Sequence, residues 1–182
     1  MRSIAVFAGA RGDLWPLGPV IAALHQHPDL SCLVLAAGDL DEAEVRSAAG
    51  AIDGFDVRVI TGGGVIAAPL DAGRFLSRVA EGTAAALADD RPDILVVMGD
   101  RYELLGAVGA ALVHGLPVAH LGGGDVTLGA IDDSIRHAIT KLSHLHLCAT
   151  AEHASRVRRL GEEPWRLERV CSGGRGTRHW RA

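Results

Sequence analysis

The 182-residue chain is 48% apolar and 22% charged, which suits one well-buried domain and lies far from the composition of a disordered segment. Its 18 Lys and Arg against 22 Asp and Glu leave a net charge of −4, so neither nucleic acid nor an acidic membrane surface is an expected partner. The first apolar stretch is too short for a signal peptide and no other is long enough to cross a bilayer, so a cytoplasmic protein is expected.

The first β-rich run is Ile4 to Phe7, followed by Gly9 to Asp13 (GARGD) and a helix with Leu17, Val20, Ile21 and Leu24 on one face. Arg11 precedes that helix, whose N-terminus favours an anion such as phosphate; the alternative is a surface ion pair with Asp13. GARGD lacks the G-x-G-x-x-G spacing, so no dinucleotide cofactor is expected. A second run, Ser31 to Leu35, leads into Ala37 to Glu42 (AGDLDE). A third, Asp56 to Ile60, leads into Thr61 to Leu70 (TGGGVIAAPL), which reads as a loop. Phe75, Leu76, Val79 and Leu87 mark the next helix.

Ile94 to Val97 is a fourth strand, and its tip carries Asp100, Arg101 and Glu103. Three charges within four residues belong at an exit from the core. Asp100, partly desolvated there, would have a raised pKa suited to proton transfer; the alternative is an N-cap for the helix that buries Leu104, Leu105, Val108 and Leu112. The fifth strand, Pro117 to Leu121, is followed by Gly122, Gly123, Gly124 and Asp125, where glycine lets the backbone approach a ligand. GAIDDSIRHAITKLSHLHL predicts a helix capped by Asp132 or Asp133, with Ile135, Ala138, Ile139 and Leu142 facing inward. Arg136 and His137 fall on its other face, where they either attract an anion or form an ordinary solvated surface. His144 to Cys148 and, more weakly, Leu167 to Cys171 complete the strands. His120, His137, His144, His146 and Cys148 lack zinc spacing, so no metal is expected. Cys32, Cys148 and Cys171 read as free thiols, two of them in apolar runs.

Strands alternating with helices, several of them apolar on both faces, predict an α/β fold: a Rossmann-like parallel sheet with helices on both faces. The strand C-termini then share one edge, and GARGD, AGDLDE, GDRYE and HLGGGD gather there. The domain is expected over residues 1–171, with 172–182 as an irregular Gly and Arg-rich tail.

Taken together, GDRYE, AHLGGGDVTLGAIDDSIRHAITKLSHLHL and TAEHASRVRRLGEEPWRLERV closely resemble the UDP-N-acetylglucosamine 2-epimerase family, in particular its hydrolysing, sialic-acid-pathway branch. The resemblance runs from Ile4 to about Val170. It implies the N-terminal half of a two-domain GT-B-type fold, with the second nucleotide-binding domain absent; the tail is then either a native end or, the favoured reading, a product of truncation or a reading-frame change. It also implies elimination of UDP from UDP-N-acetylglucosamine and addition of water to give N-acetylmannosamine, with no cofactor. Asp100 matches a family acid/base carboxylate, Arg11 a phosphate-side arginine, Asp132 a catalytic-region carboxylate, and Arg136 and His137 a stretch beside the substrate. Asp13, Glu103, His120, Gly123 and Gly124 complete the expected substrate-binding set. The family glutamate two residues after the strand-ending histidine is Gly122 here, and Asp125 is its nearest substitute. The expected partners are a nucleotide sugar and either a second copy of the chain or a separate second-domain chain. The alternative is a non-catalytic sugar-nucleotide-binding remnant, or half of a split enzyme.

Overall fold

Strand β1 (Arg2–Ala8) lies inside a sheet, flanked by β2 (Leu30–Gly38) and β4 (Ile94–Met98) and parallel to both. The computed structural model describes residues 1–50 and 54–170. With β3 (Asp56–Gly62), β5 (Val118–Leu121), β6 (Leu145–Cys148) and β7 (Leu167–Arg169), the described residues form one seven-stranded sheet in the order β3-β2-β1-β4-β5-β6-β7, every pairing parallel. The intervening helices are α1 (Arg11–Gln26), α2 (Glu42–Ala48), α3 (Pro69–Asp90), α4 (Leu104–Val113), α5 (Ile131–Leu142) and α6 (Ala151–Arg159).

The two-residue repeat of a strand sends alternate side chains to opposite faces, and here both faces are apolar. Phe7, Leu35, Leu95 and Val97 pack under α3, α4 and α5, against Phe75, Val79, Val108, Ile135 and Ile139. Val6, Val34 and Val96 pack on the other side under α1 and α2, against Leu14, Leu17, Ile21 and Val45. Burial of each large side chain contributes roughly 1.5–3 kcal/mol. Cys32 and Cys148 are buried free thiols, and burial pushes the Cys32 thiol up to about 12. Cys171 and the tail lie outside the described residues.

From β1 the chain runs outward through β2 and β3, then α3 carries it back across to β4 on the other side of β1. Neighbouring strand ends there lead in opposite directions, leaving a crevice at the C-terminal edge where α/β sheets bind ligands. GARGD leaves β1 at that edge and GDRYE leaves β4 beside it.

Some local expectations are corrected. Thr61 and Gly62 complete β3 while Pro69 and Leu70 open α3, so the loop is confined to 63–68. Helix α5 buries Ile135, Arg136, Ile139 and Thr140, whereas Ala138 and Leu142 are exposed. The inward row is thus two i,i+4 pairs, one apolar and one polar, because the polar pair meets strand ends rather than the sheet's apolar face. Neither Asp132 nor Asp133 caps α5; the N-cap is Ala130, and both aspartates lie in the first turn.

Candidate active site

Gly99, at φ +86, turns the chain off β4 and aims Asp100 across the edge of the sheet. The left-handed conformation there favours glycine. Asp100 does not cap α4, whose N-cap is Glu103; its carboxylate pairs with the Arg136 guanidinium. Arg136 also donates through Nη1 to the Gly122 carbonyl at 3.1 Å and through Nη2 to Thr127 Oγ1 at 2.9 Å. Thr127 Oγ1 in turn lies 3.4 Å from Asp100 Oδ2, and Asp125 Oδ2 lies 3.9 Å from Arg136 Nη1. The arginine side chain is 9% exposed, Asp100 22% and Asp125 52%, so the cluster runs from a buried cation to an open carboxylate. Arg136 is therefore an internal partner of Asp100, and not the outer-face cation the sequence suggested.

His120 and the glycines after it hold this rim from behind. His120 is fully buried, with Nε2 2.8 Å from the Gly99 carbonyl and Nδ1 3.2 Å from Thr140 Oγ1. A neutral ring donating from Nε2 and accepting at Nδ1 satisfies both contacts, and burial pushes its pKa down to about 4. It supports the turn at Gly99 from within the core. Gly123 and Gly124 are also buried. A Cβ on Gly123 would lie 3.2 Å from Thr140 Oγ1 and one on Gly124 only 2.2 Å from the His153 carbonyl oxygen. These glycines admit helices α5 and α6.

Across the crevice, Asp13 accepts from the Gly9 and Ala10 amides at 2.9 and 3.0 Å and so shapes the GARGD turn. Burial raises its pKa despite those bonds. Arg11 does not pair with Asp13; its Nε meets Glu44 Oε1 at 2.6 Å, and its side chain is 70% exposed. Glu103 is fully buried beneath Gly9, with Oε1 bound by Arg101 and Oε2 without a partner among the described residues. Burial acts to lower the Arg101 pKa, but the Glu103 carboxylate outweighs it and holds the guanidinium above its ordinary value. Glu103 is thus a support for Arg101. Arg11, Arg101, Tyr102, Gly38, Gly63 and Phe75 help line a cavity of about 340 Å³ at this edge. A larger one, about 470 Å³, opens among Ile4, Ile94, Pro117, Leu145 and Trp165 at the opposite ends of the strands, remote from these carboxylates.

At the start of α5, Asp133 accepts from the Thr127 amide at 3.1 Å and faces His137 Nε2 at 3.6 Å. Asp132 is half-buried and makes no side-chain hydrogen bond among the described residues. His146 is buried on Glu162 at 3.1 Å, and His144 accepts from the Val118 amide at 3.2 Å, so each has a structural partner. No group of three or more His, Cys, Asp or Glu is placed to hold a metal among the described residues.

Sequence reasoning missed Thr127 and two residues of α6. His153 Nε2 lies 3.5 Å from Asp125 Oδ1, and Arg156 donates to the Gly124 carbonyl at 2.9 Å. Helix α6 buries only Val157, too little apolar periodicity to detect. Its signal was Thr150, an N-cap that accepts from the His153 amide.

The fold and rim define a Rossmann-like α/β protein with carboxylates and guanidinium groups gathered at the switch point of a parallel sheet. A family model, UDP-N-acetylglucosamine 2-epimerase, matches residues 23–172, and the chain belongs to that family. It is similar to the GDP/UDP-N,N'-diacetylbacillosamine 2-epimerase (hydrolyzing) of Campylobacter jejuni, 47% identical over 87 residues covering 48% of this chain and 23% of that protein. It is 29% identical over 180 residues to the UDP-N,N'-diacetylbacillosamine 2-epimerase (hydrolyzing) of Legionella pneumophila, covering 96% of this chain and 47% of the relative. Among solved structures, UDP-GlcNAc 2-epimerase from Neisseria meningitidis bound to UDP-GlcNAc superposes with a TM-score of 0.76 at 19% identity, covering 94% of this chain and 47% of that one. The chain thus spans less than half the length of these relatives. Among the described residues no helix is long and apolar enough to cross a membrane.

Proposed function

We propose that this chain carries the proton-transfer half of a hydrolysing UDP-N-acetylglucosamine 2-epimerase, which eliminates UDP and adds water to release N-acetylmannosamine. The observation behind this reading is the convergence of Asp100, Arg136 and Asp125 on one rim, although β4, α5 and the loop after β5 supply them separately. Elimination needs a base for the weakly acidic C2 proton, a second group to assist departure of the diphosphate, and cations to hold its charge. Asp100, oriented by Arg136 and Thr127, is the base. Asp125 is the second acid/base group, with Asp132 on the adjoining turn, and Arg11 is the exposed cation for the diphosphate. His137 lies beside the substrate. The remaining nucleotide contacts come from a second domain or a second chain, and the cytoplasm is where such a substrate is met.

Incubation with UDP-N-acetylglucosamine in deuterated water tests the reading. Release of UDP with deuterium at C2 of the sugar supports it, and Asp100→Asn should lower that release by a factor of about 10² or more. UDP-N,N'-diacetylbacillosamine belongs in the same assay, since relatives are named for it. A second reading, a non-catalytic sugar-nucleotide-binding module, is favoured by Gly122. Its φ of +83 suits glycine, and it stands where the family carries a glutamate. Binding without release or label supports that reading instead.

A further inference from the structure

Helix α6 brings to the rim a group that the proposed chemistry leaves unused. Thr150 accepts from the His153 amide at 3.1 Å, which sets His153 in the first turn of the helix. The His153 carbonyl lies so close to Gly124 that a Cβ there would approach its oxygen to 2.2 Å, and one turn on, Arg156 donates to the Gly124 carbonyl at 2.9 Å. Two contacts with the Gly124 main chain, one from the His153 backbone and one from the Arg156 side chain, thus clamp α6 against the turn that carries Asp125. The imidazole is mostly buried, its Nδ1 has no partner among the described residues, and Nε2 faces Asp125 Oδ1 at 3.5 Å. Asp125 is then held from three sides: the Val126 amide donates to Oδ1 at 2.8 Å, His153 lies beside the same oxygen, and Arg136 faces Oδ2 at 3.9 Å.

We infer that His153 is a positioning residue for Asp125, holding that carboxylate toward Arg136 and Asp100; the inference rests on the reading of Asp125 as the second acid/base group. An open aspartate otherwise samples several rotamers, and most of them turn it into solvent. The imidazole seated 3.5 Å from Oδ1, with Arg136 on the side of Oδ2, limits that freedom.

The test follows the histidine ring signals of the 182-residue protein by NMR at one fixed pH, with His153 assigned by His153→Gln. Asp125→Asn, at an open side chain, should move the His153 ring signals and leave those of the other assigned histidines in place. In the C2 deuterium assay, His153→Gln should lower kcat roughly tenfold with little change in KM, a split that a purely packing role for His153 would not produce. His153 signals that do not move in Asp125→Asn overturn the pairing, and an unchanged kcat in His153→Gln overturns the positioning role. A wild-type chain that incorporates no deuterium while the ring signals still move sinks the epimerase reading alone.

Discussion

Arg136 and Asp100, 36 residues apart in sequence, form an ion pair that ties the first turns of α5 to the end of β4. Removing one partner of a largely buried pair leaves the other uncompensated. Arg136→Met should therefore destabilise the fold by about 3 kcal/mol in urea unfolding. Arg136→Lys should recover less than half of that, because one ammonium cannot reach Asp100, Thr127 and the Gly122 carbonyl together. A double-mutant cycle with Asp100→Asn should give a coupling of about 1–2 kcal/mol; additivity would mean the pair contributes nothing.

The two flanking glycines should behave differently. Both have positive φ, but a Cβ on Gly122 meets nothing closer than 3.9 Å, whereas one on Gly124 collides with the His153 carbonyl. Gly122→Ala should cost about 1 kcal/mol, from backbone strain alone. Gly124→Ala should cost about 3 kcal/mol and loosen α6, read as faster amide exchange from Ala151 to Arg159.

Acid should weaken the fold through His120. Its pKa in the folded chain, about 4, lies below its ordinary 6.5, so the unfolded chain takes up the proton first. The contribution of the neutral ring is intact above pH 6.5 and is lost as pH falls towards 4, by roughly 3 kcal/mol in all. His120→Gln should flatten that part of the stability curve, measured by urea midpoints at each pH. A shallower slope of the same sign should persist, because burial also lowers the pKa of His146 against the opposing effect of its hydrogen bond to the Glu162 carboxylate.

Arg11 separates binding from stability. Its pair with Glu44 is open to solvent, so Arg11→Ala should change stability by less than about 0.5 kcal/mol. If Arg11 holds the diphosphate, UDP-N-acetylglucosamine should bind roughly tenfold more weakly, or worse, by calorimetry.

The β-rich runs and the four apolar helices were legible because burial on both faces of a parallel sheet writes long apolar stretches into the sequence. Helix α2 was not: it buries only Val45, and its real signal is the reciprocal capping of Asp41 and Glu44, at 2.8 and 3.2 Å. Residues of GDRYE and of the IDDSIRH turn were both assigned to the site, but with Arg136 on the wrong face. Periodicity assigns a helix's inward row by apolarity and cannot see that a guanidinium is drawn inward by a carboxylate and a free carbonyl on other elements. The burial of His120 and Glu103 was not legible for the same reason. A polar residue at a strand end reads identically whether it is open to solvent or props a turn from below, and only the contacts with Gly99 and Arg101 show the second.

The seam between β1 and β4 also has a kinetic side. Ile4 lies beside Ile94, so the whole excursion through β2 and β3 must be looped out before that seam can zip. The rim that gathers Asp100 beside GARGD therefore requires closure of a loop of about 90 residues. Until β4 pairs, one edge of β1 stays open to another strand.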